Sequence, residues 1–291
     1  PKWRPPKFEK LTVHRAFFPQ VKMPKDSRRN CGPEGTRSYV LFQDRQYKLI
    51  QKSGRRQDGR RPEDVRPIFM KTGVVSQAKG SAYIEMGNTK IICSVYGPRE
   101  IARRRDFTFK GQINCEFQFA QYSCPVRRQA MNDAEARQYS QLLEEALAPV
   151  VCLHKFPKST VDVFVFVIEN NGGALAGAIT TAGLALADAG IDMYDMVIGC
   201  GLRQEGHTCL IDPTLDEETA PVVSPSSYPS YLFVSLVRFL KLKASWLCLA
   251  LARPSADMKA LVSACHQIYP LVQDVLLKDI RDMAGAENKE K

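Results

Sequence analysis

The stretch ENNGGALAGAITTAGLALADAGIDMYD, residues 169–195, decides how the rest of the chain is read. It closes a β-branched run, breaks at Gly172-Gly173, continues as a small-residue helix and stops at Gly190, a left-handed C-cap. Ala178, Ala182, Ala185 and Ala189 recur at helical spacing, a stripe that lets the helix lie close on a sheet. A glycine pair opening a helix presents unpaired N–H groups and the positive end of the helix dipole, so it can hold a phosphate. The next residues, Ala174 and Leu175, offer an anion nothing. The pattern predicts a phosphate-site scaffold without phosphate-site side chains.

Upstream, VDVFVFVIE (161–169) reads as a strand. Before it, Asn132 with Glu135 matches a capping box, and Tyr139, Leu142, Leu143, Ala146, Leu147 and Val150 follow at helical spacing. Further back, residues 68–73, 81–86 and 89–96 have strand character, with Gly87-Asn88 as a tight hairpin turn. Residues 114–122 alternate Cys115, Phe117 and Phe119 with polar neighbours. An antiparallel sheet is expected from these strands.

Downstream, residues 196–202 and 208–212 resume the strand pattern around a turn at 204–206. No clean period follows Pro221, until 255–284 predicts a helix burying Met258, Leu261, Val262, Cys265, Ile268, Leu271, Val272, Val275 and Leu276. The order predicts an α+β class with a split βαβ arrangement. The expected organisation is a basic, partly disordered extension over 1–57, a body over 58–284 and a solvated tail over 285–291. The body divides into halves 58–195 and 196–284, the second carrying a divergent segment at 224–254.

The chain has 291 residues, 44% of them apolar, enough for a large core. Its net charge of +10 sits at one end, because residues 1–66 hold 18 Lys/Arg against 7 Asp/Glu. The body must therefore attract polyanions through local patches if at all. Nine scattered cysteines without a C-x-x-C pair argue against a disulfide framework or a zinc site and predict reduced thiols in an intracellular protein. The polar, proline-rich start does not resemble a secretory signal. Residues 231–252 are apolar, but Arg238, Lys241 and Lys243 lie among them, each costing about 2.5–3.5 kcal/mol in a membrane, so a span is rejected. His14, His154, His207 and His266 have no companion at metal or triad spacing and are read as structural.

Three stretches in order resemble the RNase PH family: RQDGRR with VRPI near residues 55–68, AKGSAYIEMGNTKIICSVYGPRE (78–100), and GGALAGAITTAGLALADAGIDMYDMV. That family comprises phosphorolytic 3′-to-5′ exoribonucleases and ring subunits of the RNA exosome. Within it, SQAKGSAYIE, ALADAGIDMYDMVIGCGL and LIDPTLDEE are similar to a eukaryotic exosome ring subunit. The resemblance implies an RNase PH-type fold, with a ribosomal-protein-like second-domain topology, in a six-membered ring around an RNA channel. It also implies RNase PH-like neighbours, cap proteins with oligonucleotide-binding domains, and a place in the nucleus, nucleolus and cytoplasm. No cofactor or metal is expected.

Phosphorolysis needs an oxyanion site for phosphate and acidic groups to manage a proton or metal. Active relatives carry Gly-Gly-Thr-Arg at the helix start. Gly172 and Gly173 match, whereas Ala174 and Leu175 replace Thr and Arg and remove the bidentate phosphate partner. The family's acidic pair, six residues apart, corresponds to Asp212 and Glu218. The expectation is a vestigial site in a non-catalytic subunit; the alternative is an active phosphate-dependent exoribonuclease. Asp212, Asp216, Glu217 and Glu218 are expected to form a solvated acidic loop, not a metal site. Arg99, Arg103, Arg104, Arg105 and Lys110 after a Gly97-Pro98 turn, with Arg127 and Arg128 on a second loop, read as an RNA path, as an ordinary solvated loop or as salt-bridge donors to a neighbouring subunit.

Overall fold

The computed structural model describes residues 49–50, 54–101, 108–124, 134–205, 208–219, 229–230, 233–234 and 254–287. Strand β1 (Ile68–Thr72) pairs antiparallel with β2 (Gly80–Met86), and β2 with β3 (Thr89–Glu100). The Gly87-Asn88 turn closes the second hairpin in the expected register, Met86 opposite Thr89, with Gly87 at φ +56°. Strand β5 (Ser159–Glu169) adds antiparallel to β3, and β4 (Gln112–Phe119) forms the far edge, so the order is β1-β2-β3-β5-β4.

Two expectations are corrected here. Strand β4 runs parallel to β5, so the sheet is mixed. Alternation reports which face a strand buries and is silent on its direction; the crossover helix α1 (Ala134–Leu147) between β4 and β5 makes the pair parallel. Nor is Gly97-Pro98 a turn: β3 continues to Glu100, and the irregularity is a register shift between Tyr96 and Arg99 against β5.

One face of the sheet forms the core. Ile84, Ile91, Cys93, Val95, Val161, Val163 and Val167 are buried at every second position. On this face lies α2 (Ala174–Asp188), in which every residue from Ala174 to Leu186 is buried. Its alanine stripe permits close approach, and a Cβ added at Gly80 of β2 would stand 2.2 Å from the Ala189 nitrogen. Beyond the helix, Gly190 takes φ +66° and Ile191 N–H returns to the Leu186 carbonyl, the expected C-terminal cap. Leu143 and Leu147 of α1 and Leu184 and Leu186 of α2 are fully buried, each contributing about 1.5–3 kcal/mol of transfer free energy. Asn132, the proposed cap of α1, lies outside the described residues.

After α2 the expected strand over 196–202 is two shorter ones. Strand β6 (Ile198–Gly199) and β7 (Leu202–Glu205) join different sheets, because β7 pairs with β8 (Thr208–Ile211) while β6 pairs with β10 (Phe233–Val234). Gln204 belongs to β7, paired with Cys209, and not to the turn. Strand β9 (Pro229–Ser230) also pairs with β7. The rest of 224–253 lies outside the described residues.

A five-residue helix α3 (Leu215–Thr219) follows β8, and the long helix α4 (Pro254–Glu287) ends the description. Helix α4 buries Leu261, Ala264, Cys265, Ile268 and Val272; Leu271, expected on that face, is 43% exposed. A 3.6-residue period places 268 and 272 together and turns 271 away. Leu49 and Ile50 pack with Leu210, and Arg56 is fully buried, so part of the stretch that composition assigns to the extension packs on the body. Among the described residues no helix is long and apolar enough to cross a membrane.

Candidate functional site

The site forms where β5 hands over to α2. Asn170 is buried; its N–H bonds the Ser123 carbonyl and its Oδ1 accepts the Gly172 N–H at 3.1 Å. This local turn drives Gly172 to φ +86° and Gly173, the N-cap of α2, to φ +68°. A Cβ on Gly172 would lie 2.6 Å from the Leu215 nitrogen and the Pro213 oxygen, so the segment joining β8 to α3 presses directly on the glycine pair. Leu215 N–H reaches the Asn171 carbonyl at 3.0 Å, tying the two segments together.

Arg66 holds this junction from the other side. Its Nε and Nη2 grip both Asp212 carboxylate oxygens at 2.8 and 2.6 Å. The remaining donors go to Thr89 Oγ1 and to the Asn171 and Gly172 carbonyls, so all five guanidinium N–H groups are engaged. Arg66 backbone N–H adds a third bond to Asp212, at 3.0 Å. Asp212 itself adopts φ +53°, and it is 4% exposed. Burial alone would push its carboxyl up, but the Arg66 hydrogen bonds and charge outweigh this and hold it below the usual range.

Glu218 behaves differently. Its Oε1 accepts the Gly173 N–H at 2.8 Å, at the mouth of α2 where an external anion would sit. Desolvation is the larger influence, and against the pull of the Gly173 N–H and of Arg66 it pushes the carboxyl up to about 7. Glu217 is buried and paired with Arg56 at 3.4 Å; its carboxylate also accepts the Thr214 N–H at 2.9 Å, capping α3. Arg203 donates to the carbonyls of Glu217 and Glu218.

The expectation of a solvated acidic loop is therefore corrected. Asp216 alone of the four is exposed; the other three are held by arginines or by a helix terminus. Ala174 and Leu175, 6% and 1% exposed, belong to the core and contribute no donor side chain. Gly172, Gly173, Ala174, Leu175, Asp212 and Glu218, the set expected to be vestigial, are all brought to one junction by the fold. Sequence reasoning missed Arg56, Arg66, Thr89 and Arg203 as its supports. Their signal was faint, since RQDGRR and VRPI carried the resemblance without a role for their arginines, whose partners are up to 161 positions away. Among the described residues no three His, Cys, Asp or Glu side chains cluster as a metal site.

The basic residues divide. Arg99 is the next-to-last residue of β3, its guanidinium 5.2 Å from the Tyr96 ring centre and 3.6 Å from Asp162. Lys110 is exposed just before β4. Arg103, Arg104, Arg105, Arg127 and Arg128 lie outside the described residues. His154, stacked on Tyr194, and His266, on α4, are both exposed.

Comparison with known proteins agrees with this architecture. Residues 64–192 match the 3′ exoribonuclease family (RNase PH), domain 1. The human exosome complex component MTR3 is 34% identical over 284 residues, covering 91% of this chain and 99% of that relative. The rice Rrp46 crystal structure superposes with a TM-score of 0.63 at 21% identity, over 75% of this chain and 98% of that one. An Archaeoglobus fulgidus exosome with RNA bound to the active site gives a TM-score of 0.60 at 17% identity, over 75% and 92%. Together with the mixed sheet, the glycine-opened helix and the paired acids, these matches settle the family: the chain belongs to the RNase PH family.

Proposed function

We propose that the chain is a non-catalytic, RNase PH-like ring subunit of the RNA exosome, supporting 3′-to-5′ RNA degradation and processing by holding the ring and lining its channel. One observation carries the reading: the Gly173 N–H is taken by Glu218, and the two positions that follow are core apolar residues. Phosphorolysis would need that helix mouth for inorganic phosphate and a free acid beside it. Here Asp212 is locked to Arg66, and Glu218 fills the mouth. The polar groups of the junction are satisfied internally.

In this reading its partners are RNA, RNase PH-like neighbours and cap proteins with oligonucleotide-binding domains, in the nucleus, nucleolus and cytoplasm. Similarity to a human exosome component along nearly the whole relative supports the assembly role. The arginines at 99, 103–105 and 127–128, with Lys110, are assigned to RNA guidance. Co-expression with RNase PH-like exosome subunits tests it. The chain is expected in a stoichiometric complex at the mass of the ring by size-exclusion chromatography with light scattering. A stable monomer that ignores those subunits would favour a free-standing RNA-binding protein instead.

A further inference from the structure

Phe109 is 97% exposed. A single exposed apolar side chain is ordinary on a protein surface and by itself means nothing. The backbone on both sides of this one is hydrogen-bonded to the body. On one side the Thr108 carbonyl accepts the Lys158 N–H at 3.3 Å, and on the other Gly111 N–H donates to the Leu153 carbonyl at 2.8 Å. Gly111 is so closely packed that a Cβ there would meet the Phe156 carbonyl at 2.8 Å. Between these anchors the phenyl ring projects into solvent.

Among the described residues, those adjoining the ring in sequence are polar. Thr108 and Lys110 are exposed on either side, and the anchoring segment contributes exposed Lys158. An aromatic face flanked by ammonium groups suits a nucleobase joined to its phosphates. A protein partner would be expected to meet further apolar surface beside the ring, whereas its sequence neighbours here are threonine and lysine.

The geometry points to Phe109 as a stacking post for an unpaired base of single-stranded RNA, with Lys110 as the adjoining phosphate contact. This rests on the RNA-guidance reading above and adds a base-stacking contact to a path otherwise made of charges. Stacking is indifferent to base identity, because every base has a π-face, so the post suits RNA of any sequence passing along the chain.

The test measures binding of a single-stranded RNA oligonucleotide to the assembled complex by fluorescence anisotropy, across a salt series. Phe109→Ala is expected to weaken binding about 5- to 100-fold with the salt slope unchanged. Phe109→Trp should retain affinity, whereas Phe109→Leu should behave like Ala. Lys110→Ala should instead make the slope of log K against log salt shallower by about 0.7. Wild-type affinity in Phe109→Ala, with Lys110→Ala still shifting the slope, would overturn the stacking post and leave RNA guidance standing. Unchanged binding in both variants would overturn both. Rescue by Leu as full as by Trp, or loss of assembly in Phe109→Ala, would assign Phe109 to a protein contact and likewise overturn the proposal.

Discussion

Replacing Arg66 by Met is expected to destabilise the folded chain by about 3–5 kcal/mol, the range for removing one partner of a buried ion pair. The loss is larger than that of a surface pair because Asp212, 4% exposed, would keep its charge with only the longer 3.9 Å pair to Arg60. The guanidinium also satisfies the Asn171 and Gly172 carbonyls at the entry to α2, and these would be left without that donor. Urea unfolding at pH 7 measures the change. Adding Asp212→Asn to the same chain should recover part of it, since the weakly paired buried charge is then gone. A loss below about 1 kcal/mol in Arg66→Met would mean that the junction is not held as described.

Replacing Glu218 by Gln should stabilise the chain at pH 8 by about 2–3 kcal/mol and leave it nearly unchanged at pH 4. The carboxyl is raised from an ordinary 4.5 to about 7, chiefly by desolvation. The folded state therefore holds a proton more tightly than the unfolded chain, and the stability this brings is full below pH 4.5 and is lost as pH rises through 7. Glutamine does not titrate, and its amide oxygen can still accept the Gly173 N–H. Asp212 has the opposite sign: its depressed carboxyl stabilises the fold at neutral pH and loses that contribution in acid. Comparing the Glu218→Gln variant with wild type at pH 4 and 8 isolates the Glu218 contribution from that background. Equal stability of the two chains at pH 8 would contradict a desolvated carboxylate at the helix mouth.

Much of the fold was legible because its signals are local. The Gly87-Asn88 hairpin, the alternation of β2 and β3, the alanine stripe of α2 and the Gly190 cap each depend on residues within one turn or one strand. Strand direction was not legible, since Cys115, Phe117 and Phe119 bury the same face whether β4 runs with β5 or against it. The break between β6 and β7 was hidden because the two run on in sequence and diverge only through partners elsewhere in the chain. Leu271 was misplaced by composition overriding the helical period.

The site divides in the same way. Gly172, Gly173, Ala174 and Leu175 state locally that a helix mouth lacks phosphate ligands. Asp212 and Glu217 look solvated in LIDPTLDEE because their counterions, Arg66 and Arg56, come from before β1, and Glu218 because the Gly173 N–H it meets opens a helix some 45 residues earlier. Nothing in the acidic segment itself announces that its charges are spent inside the protein. Their pairing changes the meaning of the Thr-Arg loss: the site lacks a phosphate ligand and also holds an internal carboxylate in its place.

The central claim, a catalytically silent site, is tested most directly by incubating the chain with single-stranded RNA, inorganic phosphate and Mg²⁺ and measuring nucleoside diphosphate release, both alone and in the assembled ring. Where the assembled ring contains active subunits, their acidic residues are first replaced. The expected result is no release above the protein-free control. Phosphate-dependent release that disappears in Asp212→Asn would contradict the account and identify an active phosphorolytic exoribonuclease.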